Sequence, residues 1–126
     1  MIKTISTDKA PQAIGPYSQA IKTDNVLYLS GQIPINPETS EIISNDIAEQ
    51  TGQVMKNIKA ILEKESLSIE KIVKTTIFLQ DLSQFNIVNE EYSKFLGDHR
   101  PARSTIEVSR LPKDVQIEIE AIAYIK

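Results

Sequence analysis

A chain of 126 residues, 40% of them hydrophobic and 25% charged, can bury a core of its own, which excludes a disordered chain and a mini-protein that needs staples. A net charge of −3 excludes a general attraction to phosphate backbones or anionic lipid, so neither nucleic acid nor membrane is expected as a partner. The absence of cysteine excludes disulfides, thiol nucleophiles and Cys-ligated metals, and nothing points to an oxidising compartment.

Met1–Ile5 lacks the long apolar core of a signal peptide, and no apolar run matches the length of a membrane span. A single domain over 1–126 and a cytoplasmic location are expected. Ile2–Ile5 reads as a short first strand, followed by a loop from Ser6 to Pro16. In Gly15-Pro16-Tyr17-Ser18 the proline restricts the backbone and a tyrosine follows, either as a hydroxyl held in place or as a ring that packs. Ser18–Lys22 is expected as an edge strand. Val26–Gln32 is the clearest strand of the first half, and Gly31 in it marks a bulge, a close approach by a ligand or backbone, or a strand end relaxing into the loop Pro34–Ser44.

Asp46 starts a helix, with Glu49 positioned for a capping box and Ile47, Thr51, Val54, Met55, Ile58, Ile61 and Leu62 at helical spacing. Ile72–Gln80 is rich in β-branched residues and predicts a strand. Asp81 or Ser83 caps a second helix that buries Phe85, Val88, Tyr92, Phe95 and Leu96 and stops at Gly97. Asn89 falls on its apolar stripe, where an amide either ties down a neighbouring backbone or faces a pocket. His99 reads as a loop residue.

Arg103–Arg110 and Val115–Tyr124, separated by Leu111-Pro112-Lys113-Asp114, predict a hairpin. Arg103 and Thr105 share a face of the first limb, and Glu118 and Glu120 share a face of the second. Such a pair brings a guanidinium near a carboxylate, or is an ordinary surface strand pair with ion pairs. The order strand, strand, helix, strand, helix, strand, strand predicts an α+β fold, a single mixed β-sheet with two helices packed on one face. The last strand is apolar on alternate residues and mixed on the others, so its second face suits burial in a homo-oligomer.

One histidine and no cysteine make a Ser/His/Asp triad, a Cys/His pair or a His-rich metal site hard to assemble, and the four scattered glycines form no phosphate-binding loop. An arginine, carboxylates, a tyrosine and strand-end backbone groups remain, a set suited to a small anionic ligand.

Gly15-Pro16-Tyr17-Ser18-Gln19-Ala20, Ser30-Gly31-Gln32-Ile33-Pro34, Arg103-Ser104-Thr105 and Leu111–Ala121 together resemble the Rid family (RidA/YjgF) of reactive-intermediate imine and enamine deaminases, from about Thr4 to the C-terminus. The resemblance implies a chorismate mutase-like fold and a homotrimer with ligand clefts between subunits, the mixed sheet face becoming the trimer interior. It implies that Arg103 binds a substrate carboxylate, Glu118 positions the attacking water, and Tyr17 stands at the cleft mouth across the interface. Ser30, Gly31 and Asn89 would line the cleft. Thr105 stands where many members have cysteine, a position that acts mainly through its backbone, so thiol-dependent behaviour is removed without abolishing hydrolysis.

The implied reaction is hydrolytic deamination of 2-imino and 2-enamino acids, such as 2-aminoacrylate and 2-iminopropionate, to 2-keto acids and ammonia. No metal or organic cofactor is expected. The rival reading is a non-enzymatic trimer that binds a small carboxylate and acts through a regulatory protein partner. A ribonuclease reading is opposed by the acidic charge balance and the lone histidine.

Overall fold

The computed structural model describes residues 1–126. Eight strands and two helices follow in the order β1 (Lys3–Ile5), β2 (Ala20–Lys22), β3 (Val26–Gln32), β4 (Ile35–Asn36), β5 (Glu41–Ile42), α1 (Ile47–Lys64), β6 (Ile72–Leu79), α2 (Phe85–Leu96), β7 (Ala102–Glu107) and β8 (Ile117–Tyr124). Six of the strands form one mixed sheet in the order β1-β2-β3-β8-β6-β7. Only β6 and β7 run parallel. The architecture is the expected α+β class. No helix is long and apolar enough to cross a membrane.

Both helices amphipathically cover one sheet face. Val54, Met55, Ile58, Ile61 and Leu62 of α1 and Val88, Tyr92 and Leu96 of α2 join Leu27, Leu29, Ile77, Leu79, Ile117, Ile119, Ala121 and Ala123 in one core. Asp46 caps α1 by accepting from Glu49 N at 2.9 Å. The Asp46 amide donates to Ser44 Oγ (3.1 Å), so Ser44 takes the role that the capping-box pattern assigns to Glu49. Asp81 caps the short turn Leu82–Gln84 that leads into α2, and Gly97 ends α2 at a φ of 59°.

Two expectations about the sheet are corrected. Strand β2 is not an edge, because β1 covers it. The Arg103–Tyr124 hairpin does not form: β7 pairs in parallel with β6, and β8 lies between β3 and β6. The connection Val108–Gln116 is no tight turn, since Leu111 and Val115 are buried and anchor it while it passes the end of β6. Its ends are fixed there, Val108 N donating to Leu79 O (2.8 Å) and Gln80 N to Gln116 O (3.1 Å). The helix α2 is instead the crossover that a parallel β6–β7 pair requires. In addition, the Pro34–Ser44 loop folds into the small β4–β5 hairpin.

The second sheet face carries Tyr28, Ile122 and Tyr124 as neighbours across β3 and β8, with Phe78 and Thr76 of β6 opposite Glu118 and Glu120. It is the mixed, half-exposed face that the alternation predicts.

Candidate active site

The βαβ unit β6–α2–β7 builds the first half of the site. Arg103 on β7 stands opposite Thr75, whose hydroxyl is buried toward α2 and shares a 2.6 Å hydrogen bond with Tyr92. Residues paired across strands project to the same face, so Arg103 also turns toward α2. There its Nη1 donates to Asn89 Oδ1 at 2.7 Å. The guanidinium lies 5.3 Å from the Phe85 ring centroid and 5.4 Å from that of Tyr92. Asn89 thus faces a pocket and orients a side chain, rather than tying down backbone.

Arg103 joins none of the ion pairs of the chain. Two cavities meet at it, one of about 610 Å³ lined by Asn89, Tyr92, Arg100 and Arg103 among others, and one of about 520 Å³ lined by Leu82, Phe85, Arg103 and Thr105. Thr105 Oγ1 is buried there without a partner. A fixed, unpaired guanidinium in a concave wall is suited to a carboxylate. The sequence pattern alone does not single out Phe85, Tyr92 and Arg100 as site residues. Phe85, Asn89 and Tyr92 do share one helix face by their i, i+4 and i+3 spacing, the signal that links them.

Glu118, Gly31 and Ser30 form the second half. The β3–β8 register shifts between Leu29 and Gln32, so Ser30 and Gly31 form the bulge that Gly31 suggested. A Cβ at residue 31 would lie 2.8 Å from Glu118 Cδ, and the glycine leaves this space to the carboxylate. Burial first, then the like charge of Glu120, push the Glu118 carboxyl above its ordinary value.

Ser30 Oγ donates to Ser18 O (2.6 Å) and Ser30 N to Gln19 O (2.9 Å), which moors the segment after Tyr17 to the bulge. The buried Gln19 amide holds the rest of that loop, accepting from Thr7 N and donating to the carbonyls of Thr7, Ala10 and Pro11. Tyr17 itself is exposed, after Gly15 at a φ of 114°.

Within one chain the two halves do not meet. Glu118 stands opposite Phe78, three residues beyond the Thr75 that pairs with Arg103, so the two side chains leave the sheet on opposite faces. Strand β6 separates them by two strand spacings, roughly 10 Å, and Tyr17 precedes β2, which lies four spacings from β7, roughly 19 Å. The close approach of guanidinium and carboxylate that a hairpin would give is therefore absent.

The chain matches the family model described as endoribonuclease L-PSP over residues 7–125. It is 57% identical over 122 residues to a RutC family protein of Pyrococcus abyssi, covering 97% of this chain and 96% of that protein. It is 52% identical over 126 residues to the 2-iminobutanoate/2-iminopropanoate deaminase of Escherichia coli K12, covering 98% of each. Among solved structures, Escherichia coli TdcF with bound serine superposes with a TM-score of 0.93 at 45% identity, covering 97% of this chain and 98% of that one. With the motifs, the fold and the matches in agreement, the chain belongs to the endoribonuclease L-PSP family, the Rid (RidA/YjgF) family.

Proposed function

We propose that this chain hydrolyses 2-imino acids to 2-keto acids and ammonia, in clefts completed between copies of itself. The observation that carries the reading is Arg103, a guanidinium without a carboxylate partner, held by Asn89 and two aromatic rings on a cavity wall. It binds the substrate carboxylate and leaves C2 presented for attack.

Once the imine nitrogen is protonated, C2 accepts an electron pair from water. Glu118 takes the water proton as the O–C2 bond forms and passes it to the amine nitrogen. The C2–N bond then breaks with its electron pair leaving on ammonia, Glu118 takes the proton of the C2 hydroxyl, and the 2-keto acid remains. The raised Glu118 pKa suits a general base, which contributes a factor on the order of 10² to 10⁴. Fixing carboxylate and water in one geometry supplies more.

Because Arg103 and Glu118 leave opposite sheet faces, one copy contributes Arg103, Asn89 and Thr105, and its neighbour contributes Glu118, Gly31, Ser30 and Tyr17. A homotrimer, which the family resemblance implies, provides such clefts. The half-exposed Tyr28, Ile122 and Tyr124 support burial of that face against further copies. The deaminase name of the Escherichia coli relative and the serine bound to TdcF, a small carboxylate, support the substrate class. A nuclease reading gains nothing from a net charge of −3 or from His99, whose Nε2 donates to Ile72 O (2.7 Å).

The test is ammonia or pyruvate release while a separate dehydratase generates 2-aminoacrylate, with wild type, Arg103→Ala and Glu118→Gln in parallel. Acceleration by wild type alone supports the reading. A wild-type rate equal to buffer, with retained binding of small carboxylates, overturns it in favour of a non-enzymatic binding protein.

A further inference from the structure

The cavity of about 610 Å³ beside α2 is lined by two arginines, not one. Resting on the reading above, we infer that Arg100 is a second anion handle, and that the cleft takes 2-imino acids whose own side chain ends in a carboxylate. Arg103 would hold the C1 carboxylate and Arg100 the distal one.

Arg100 precedes the strand by a single proline, and three residues of extended chain separate its Cα from that of Arg103 by at most roughly 10 Å. Both residues line the same cavity, so one ligand there can reach both. The Arg100 guanidinium is pinned: Nη1 donates to Gly97 O at 2.7 Å and to His99 O at 2.8 Å. These bonds tie the guanidinium to the segment that follows α2 and use both Nη1 protons. Nε and Nη2 keep three N–H groups for a ligand.

The charge balance of the cavity agrees. Neither arginine joins an ion pair. Glu90 is the one carboxylate on the wall, and it lies one helical turn from Lys94, whose pKa it helps to raise after the larger effect of Glu91. Burial raises the Tyr92 hydroxyl pKa, while the Thr75 bond and the fields of Arg103 and then Arg100 oppose that rise, so both cations act on one buried point. The cavity volume lies within the range of about 300–1,000 Å³ that small-ligand sites occupy.

The test is equilibrium binding by titration calorimetry with two stable keto acids, 2-oxoglutarate and 2-oxobutanoate, to wild type, Arg100→Gln and Arg103→Gln. Wild type is expected to bind 2-oxoglutarate about tenfold tighter, the value of one charge-assisted contact. Arg100→Gln should lose most of that preference, and Arg103→Gln should weaken both ligands. Equal wild-type affinity for the two keto acids overturns the proposal, and this comparison needs no variant to fold. An equal loss of both ligands in Arg100→Gln overturns it too. Imine turnover is measured separately with 2-iminoglutarate and 2-iminopropionate, each generated in situ by an amino-acid oxidase. A keto-acid preference without accelerated hydrolysis keeps the second handle and removes the deaminase reading, and hydrolysis without preference does the reverse.

Discussion

Gly31 and Glu118 divide one space: the carboxylate lies where a side chain at residue 31 would stand. Gly31→Ala should therefore be tolerated by the fold, since the atoms in the way are the far end of a flexible glutamate. It should displace the proposed base without removing it, lowering kcat by about 10- to 100-fold, less than the factor on the order of 10² to 10⁴ that a general base contributes. A thermal melt close to wild type together with a lower kcat at near-constant KM is the expected pair of results. A wild-type kcat would separate Glu118 position from turnover.

Glu118 titrates above its ordinary value because of burial and Glu120, so loss of activity on acidification should follow that raised pKa. Glu120→Gln removes the like charge and should move the acid limb of the pH–kcat/KM profile to lower pH. Stability runs the opposite way with pH. A carboxyl whose pKa is higher in the folded protein favours the fold while protonated and disfavours it as pH rises through the folded pKa. Glu118→Gln should accordingly raise Tm at neutral pH and give no gain in acid, while abolishing turnover. Paired thermal scans at the two pH values decide this.

Arg103 is held as a plane, by Asn89 at its edge and by Phe85 and Tyr92 nearby. Arg103→Lys keeps the charge and loses the fork and the ring contacts. Carboxylate binding should weaken by about 1.5–3 kcal/mol, the range for hydrogen bonds to charged groups. Calorimetry with 2-oxobutanoate measures it, and an affinity equal to wild type would show that charge alone suffices.

Gln19 makes four hydrogen bonds to the loop before Tyr17. Gln19→Leu leaves those backbone groups unpaired and should cost about 3 kcal/mol in urea unfolding. The loop should also become the first site of limited proteolysis. A midpoint within error of wild type would mean that water replaces the amide at no cost.

The local signals of this sequence were readable where one physical rule dominates. The stripe Val54, Met55, Ile58, Ile61 and Leu62 could only be a buried helix face, and the β-branched run from Ile72 could only be a strand. Gly31 announced its bulge. The hairpin failed because adjacency in sequence favours pairing neighbours, whereas buried Leu111 and Val115 carry the chain past β6. That swap of partners decides the site. A parallel β7 lies under α2, where Arg103 meets Asn89, and it turns Glu118 to the other face. Phe85 and Tyr92 were legible as apolar helix positions but not as ring neighbours of a guanidinium, because that role depends on which strand α2 covers.

The opposed facing of Arg103 and Glu118 turns each chain into two unlike halves that never complete each other. Two defective proteins should then repair one another. An Arg103→Ala chain still offers a good carboxylate, and a Glu118→Gln chain still offers a good guanidinium. Unfolded together and refolded as mixed assemblies, they should regain roughly a quarter of wild-type turnover, the share of junctions at which random exchange joins two intact halves. Each variant refolded alone should stay silent, and a silent mixture would place the reaction within a single chain.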